Sequence, residues 1–215
     1  MKKMMKLTAL ILTAAMAMTG CGGSGDSADA EGKYKVGIVQ QLEHPALDAA
    51  SLGFQEKLTE LTGGNVVFDY QNAQGEQTNC TTIATKFVSD GVDLIMANAT
   101  TALQSAAAAT ADIPIVGTSV TDYVTAGVVE SNEAPGRNVT GASDLAPIDE
   151  QIAMLMELIP DVQKVGILYC SAESNSEIQV AMAKEACDAI GLKYEEFTVP
   201  GSNEIQTVVE SMVEK

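Results

Sequence analysis

Residues 38–48 read IVQQLEHPALD, an apolar run that stops at Gln40 and Gln41 and passes through His44 and Pro45 into a helical pattern. The run begins at Tyr34, so Tyr34–Val39 reads as a strand and Ala46–Leu61 as the helix that follows it. A strand feeding a helix through a short polar loop is the opening unit of an α/β sheet. Downstream the same grammar repeats. Strands are expected at Val66–Tyr70, Leu94–Met96 and Ile113–Val116, with helices at Gln77–Ser89 and Ala102–Ala109 between them. Such alternation predicts a doubly wound parallel sheet with helices on both faces.

A weaker strand is expected at Gly127–Val129, and the segment SNEAPGRNVTGASD after it is rich in turn formers. The alternation then restarts: helix Ile148–Leu158, strand Lys164–Tyr169, helix Ser176–Ile190, strand Lys193–Val199 and helix Glu204–Val213. This predicts a second α/β unit. It shows two strands, too few for a well-buried parallel sheet, so the chain is expected to be a fragment of a longer protein with its second lobe truncated. The expected boundaries are a first lobe over 33–137, a crossover over 138–146 and a partial second lobe over 147–215.

Upstream of the first strand, Lys2, Lys3 and Lys6 precede an apolar stretch from Leu7 to Met18, and Met18-Thr19-Gly20-Cys21 follows. This arrangement resembles a bacterial lipoprotein signal peptide, with Met18 where leucine is usual. The apolar run is short of the ~20 residues of a comfortable membrane span. Residues 1–20 are therefore expected to be a signal peptide. Cys21 is expected to carry the lipid, and 21–32 to form a flexible tether. The folded part is then extracytoplasmic, lipid-anchored to the bacterial cell membrane.

Among 215 residues, 46% are hydrophobic, enough to bury a core, and 12 Lys+Arg stand against 29 Asp+Glu for a net charge of −17. Loss of the three signal-peptide lysines leaves 9 basic groups against 29 acids, or −20. So acidic a surface argues against nucleic-acid partners and against electrostatic membrane binding. Cys80, Cys170 and Cys187 are read as small buried thiols, with a Cys170–Cys187 disulfide as a lesser alternative. One histidine and no clustered thiols give no reason to expect a metal.

In open parallel sheets, ligands bind beyond the carboxyl ends of the strands. Those ends carry Gln40, Gln41, Glu43 and His44; Asn98, Thr100 and Thr101; Thr118, Ser119, Thr121 and Asp122; and, in the second unit, Ser171, Glu173, Ser174, Asn175 and Ser176. Several of these loops open helices, whose free N–H groups favour a carboxylate, while Asp122 or Asp144 could take an ammonium. A small zwitterion suits such a cleft. Each of these residues also has an ordinary role as a helix cap or turn residue, His44 as a helix start.

Enzyme signatures are missing from the sequence. The first strand is followed by no GxGxxG, and no GxxxxGK[ST] or GxSxG occurs, so no cofactor is expected. His44 has no identifiable nucleophile beside it. The NVT at Asn138 is read as a turn rather than a glycosylation site.

The ordered series Glu43-His44-Pro45-Ala46-Leu47-Asp48, Asp69 to Gly75, Val120-Thr121-Asp122, Asn138-Val139-Thr140-Gly141 and Tyr169 to Ser176 resembles the substrate-binding lipoproteins of ABC importers, in particular those binding tryptophan or other aromatic amino acids. The resemblance covers Lys33 to Lys215. It implies a two-lobed type I periplasmic-binding fold, ligand capture in the inter-lobe cleft and delivery to an ABC permease, without catalysis. It implies His44 and Leu47 as the first-lobe wall, with Thr100, Thr101, Ser171, Ser174 and Asn175 at the carboxylate and Asp122 and Asp144 at the ammonium. Asn98, Thr121, Tyr123 and Glu173 complete the candidate set. Two departures stand out: Thr101 and Tyr123 occupy positions where the family pattern usually has proline. Tyr123 and Tyr169 are the candidate aromatic platforms in a chain without tryptophan. The alternative reading is an extracellular sensing module of a signalling system; a sugar- or nucleotide-active enzyme would need a cofactor loop or nucleophile not found here.

Overall fold

The computed structural model describes residues 32–214. The expected signal peptide, Cys21 and nearly all of the tether lie outside the described residues. The first lobe runs β1 (Tyr34–Gln40), α1 (Pro45–Leu61), β2 (Val66–Asn72), α2 (Gln77–Asp90), β3 (Leu94–Asn98), α3 (Thr100–Ala109), β4 (Ile115–Val120) and β5 (Val139–Ser143). All neighbouring strands pair in parallel, in the order β2-β1-β3-β4-β5. The order reverses direction between β1 and β3, which makes their carboxyl ends the switch point where α/β folds place ligands.

Both faces of this sheet are covered. On one side Val39, Ile95, Ala97, Ile115 and Val120 meet Cys80, Ala84 and Phe87 of α2 and Ala102, Leu103 and Ala106 of α3. The alanines of α3 let it lie close to α2, and alanine is also the best helix former. The Phe87 ring sits directly over Gly37, where a Cβ would come within 2.6 Å of the ring. On the other side Val36, Ile38, Val66 and Met96 pack against Phe54 and Leu58 of α1. Helix α2 ends where Gly91 takes a left-handed φ of 63°, a cap that glycine adopts without steric penalty.

The sequence reading placed a strand at Gly127–Val129, and here it is corrected: the fifth strand is β5, inside the segment read as turns. Val128 and Val129 are buried through hydrophobic packing rather than through strand pairing. β5 is hard to see in sequence because it is an edge strand whose residues are mostly exposed, so it carries no apolar run. Its pairing instead depends on small residues. Gly117 of β4 lies opposite Gly141 of β5, and the Tyr123 ring packs against both. A Cβ at Gly117 would reach within 2.6 Å of the Tyr123 hydroxyl, and one at Gly141 would overlap it. The NVT segment is structural too: the Asn138 amide donates to the carbonyls of Thr110 at 3.1 Å and Ile113 at 2.7 Å.

The second lobe comprises α4 (Ile148–Leu158), β6 (Lys164–Cys170), α5 (Ser174–Ile190), β7 (Lys193–Val199) and α6 (Ile205–Val213), with β6 and β7 forming a separate parallel pair. Ile148, Val180, Cys187, Leu192 and Val199 are its buried apolar residues, and Met212 of α6 packs onto Gly166 of β6. Cys80, Cys170 and Cys187 are free, so the Cys170–Cys187 bridge does not form. Cys80 and Cys187 are buried, and burial pushes both thiols up. Cys170 departs from the expected burial: it is only half-buried, at the carboxyl end of β6. No described helix is long and apolar enough to cross a membrane.

Candidate functional site

The opening stretch supplies the first wall. The sheet register sets Gln40 beside Asn98, and both side chains are fully buried. The Gln40 carbonyl oxygen accepts from Ser51 Oγ at 2.7 Å and from Asn98 Nδ2 at 3.2 Å, while Gln40 Nε2 donates to Leu42 O at 2.9 Å and to Asp48 Oδ1 at 2.6 Å. Asn98 Nδ2 also donates to Leu47 O at 2.7 Å. This buried network ties the first turns of α1 to the ends of β1 and β3. Within it Asn98 Oδ1 has no partner. His44 is the N-cap of α1, its Nδ1 accepting from Ala46 N–H at 3.2 Å, with Pro45 at the first helical position. With Nδ1 serving as acceptor, the neutral ring carries its proton on Nε2.

Beyond the network lies a cavity of about 330 Å³, lined by Gln41, Leu42, His44, Leu47, Ala99, Thr100, Ser119, Thr121 and Asp144 from the first-lobe side and by Glu173, Asn175 and Gln179 from the second. Three helix N-termini face it, those of α1, α3 and α5, each presenting the positive end of a helix dipole; α3 and α5 add free N–H groups, whereas in α1 Pro45 has none and His44 takes that of Ala46. Two carboxylates line it, Asp144 and Glu173, and no lysine or arginine does among the described residues. Ala99 and Ser119 reach its wall with φ of 90° and 56°, left-handed values that cost a non-glycine residue on the order of 1–3 kcal/mol. Strain of this kind persists where neighbouring structure imposes it; here both residues sit at strand ends on the cavity.

Of the residues singled out in sequence, His44, Leu47, Thr100, Thr121, Asp144, Glu173 and Asn175 come together on this cavity. Asn98 stands behind its wall. Thr101 faces the adjoining cavity. Asp122 is turned away, its Oδ1 accepting from Thr125 N–H at 2.6 Å to close a turn. Tyr123 does not line this cavity either. It is 5% exposed, donates to Ala142 O at 3.1 Å, and is part of the hydrophobic core. Burial pushes its phenol up to about 12, with the Asp144 charge adding to the push. Ser171 is spent on β7, its Oγ donating to Val199 O at 3.4 Å, and Ser174 opens α5 with an exposed side chain outside the cavity lining. Gln41 and Ser119 were visible as strand-end residues. Leu42, Ala99 and Gln179 carried no sequence signal, since an apolar loop residue, an alanine and a second-turn helix glutamine are unremarkable by type. Among the described residues no group of three His, Cys, Asp or Glu side chains is placed to hold a metal.

Residues 35–215 match the ABC transporter substrate binding protein family. The chain belongs to that family. It is 38% identical, over its whole length, to a tyrosine-binding protein of Clostridioides difficile, of which the match covers 66%. It is similar to the solved ABC domain in complex with L-Trp from Streptococcus pneumonia, at 37% identity and TM-score 0.81, covering 85% of this chain and 63% of that one. It is also similar to a ligand-free, open substrate binding protein with adhesive properties from Clostridium difficile, at 41% identity and TM-score 0.63, covering 84% and 62%. The chain thus spans about two thirds of the length of these relatives. Its architecture is the α/β, parallel-sheet type I periplasmic-binding fold, which persists in solved binding proteins of far lower identity.

Proposed function

We propose that this chain belongs to a solute-binding lipoprotein of an ABC importer that captures an amino acid, aromatic in class, between its lobes and passes it to a permease without chemical turnover. The observation that carries this reading is the cavity between the lobes, where two carboxylates and three helix N-termini converge with no lysine or arginine among its lining residues. A zwitterion satisfies both halves of that wall: its ammonium faces Asp144, and its carboxylate meets the N–H groups and hydroxyl at Thr100 and the start of α5. The tyrosine- and tryptophan-binding relatives supply the aromatic class.

Contacts to both lobes would stabilise the closed arrangement by differential affinity, with the segment 138–146 as one crossing between them. In this reading Cys21 carries the lipid that holds the protein on the outer side of the cell membrane. The test is isothermal titration of the protein without residues 1–20, with Cys21→Ser, against L-tryptophan, L-tyrosine and L-phenylalanine. Stoichiometric binding is expected for at least one of them. Asp144→Asn should weaken it by roughly 30-fold, as about 2 kcal/mol of a charge pair is lost. No heat with any of the three would overturn the amino-acid assignment.

A further inference from the structure

A second cavity, of about 700 Å³, adjoins the first and shares Gln41, Leu42 and Glu173 with it. Its remaining walls have a different chemistry. Leu168, Tyr169, Ala172, Val199, Pro200 and Ile205 come to it from the second lobe, opposite Thr101, Gly75, Glu76 and Gln77 of the first. No lysine, arginine or histidine lines it among the described residues. Tyr169 brings an aromatic ring to this wall, its hydroxyl donating to Glu196 at 3.4 Å.

The division of labour follows from the contrast. The first cavity offers charge complementarity to a small zwitterion, and the second adds a mainly apolar second-lobe wall facing Glu76 and Gln77. Resting on the amino-acid reading above, we propose that the second cavity is the side-chain compartment of the same site. It takes the large apolar or aromatic side chain of an α-amino acid whose charged groups occupy the first cavity. Leu42 stands on the boundary and touches both parts. Selection then works by size and polarity. A large apolar side chain releases water from the compartment and gains affinity with the area it buries, whereas alanine leaves the compartment wet. The volume falls within the range of ordinary ligand sites, about 300–1,000 Å³.

Ala172 gives a direct test, since it is exposed, lies in the turn between β6 and α5, and lines the second cavity without lining the first. Ala172→Trp would fill the compartment. Affinities for L-tryptophan, L-tyrosine, L-phenylalanine and L-alanine are measured by titration and competition on wild type and variant. Wild type is expected to prefer its best aromatic ligand over alanine by about 10-fold or more, and the variant to lose most of that preference. A preference equally strong in Ala172→Trp overturns the compartment while leaving the amino-acid reading standing. Wild-type protein that binds none of the four overturns both.

Cys170 supplies a second readout that needs no substitution in the cavity. It is the half-buried thiol on this wall, while Cys80 and Cys187 are buried. In the Cys21→Ser background, saturating phenylalanine is expected to slow maleimide labelling of Cys170 several-fold more than saturating alanine does. Equal protection by the two ligands would mean that lobe closure alone shields the thiol, and would also overturn the compartment.

Discussion

The two lobes obey the same strand–helix alternation, yet they differ in what that alternation hides. In the first lobe Ile38 and Ile95 are wholly inaccessible, flanked by strands and covered by helices. In the second, no residue of β6 is buried, and Met154, Leu158 and Val213 are 55%, 73% and 82% exposed. A parallel strand becomes a core strand only when neighbours close both of its edges and helices close both of its faces. Pattern alone makes the element; neighbours make the burial.

That contrast can be broken most sharply by paired truncations. Phe87→Ala, which removes a ring packed on Gly37, is expected to cost about 3–5 kcal/mol, whereas Val165→Ala in half-buried β6 should cost about 1 kcal/mol. Urea unfolding followed by circular dichroism measures both, and equal losses would erase the distinction between the lobes. A smaller effect belongs to the seam between β4 and β5. The raised Tyr123 phenol favours the neutral, folded form, so its contribution is complete below the ordinary value of 10 and is lost as pH rises towards about 12. Tyr123→Phe should remove that alkaline loss of melting temperature between pH 10 and 12, together with the phenolate absorbance that develops near pH 12. An unchanged alkaline profile would place the sensitivity elsewhere.

The smallest expected effect is one on which the lobes should agree. Lys86 lies 2.5 Å from Asp69 and 2.7 Å from Asp90 in the first lobe, and Lys184 lies 2.6 Å from Glu196 in the second. Burial alone would raise the Asp69 carboxyl, but hydrogen bonds from Lys86 and Gln71 and the Lys86 charge together hold it below its ordinary value. Its contribution is therefore present above the unfolded carboxylate range and disappears as pH falls through the depressed value. With these groups largely exposed, Asp69→Asn and Glu196→Gln should each cost less than about 1 kcal/mol at neutral pH. Thermal melts at pH 7 and at successively lower pH check this, and the Asp69→Asn difference should shrink as the pH falls through the depressed carboxyl value.

Most of this architecture could be read from the chain because its central strands carry apolar runs and its helices are amphipathic, so most elements carried their own period. The helix at Ile148–Leu158 and the strand at Lys193–Val199 have the expected bounds. β5 escaped because an exposed edge strand of small residues leaves no hydrophobic signature. At the site, the strand-end rule found the loops but not the directions of their side chains. Thr121 faces the cavity while its neighbours Asp122 and Tyr123 serve a turn and the core, and residue type alone does not separate these roles. Ala99 was invisible for another reason: its contribution is a backbone angle.

The glycine pair beneath Tyr123 also bears on how this lineage can change. Gly117, Gly141 and Tyr123 occupy one shared volume, so none of the three can be enlarged independently. A side chain at Gly117 is tolerated only after position 123 has become smaller, whereas Gly141 is held as glycine by the Gly117 backbone carbonyl as well, so loss of the ring relaxes Gly117 alone. The order of mutations is thereby constrained. Among descendants of this chain, positions 117 and 123 should vary together, with the tyrosine giving way first, while Gly141 stays glycine.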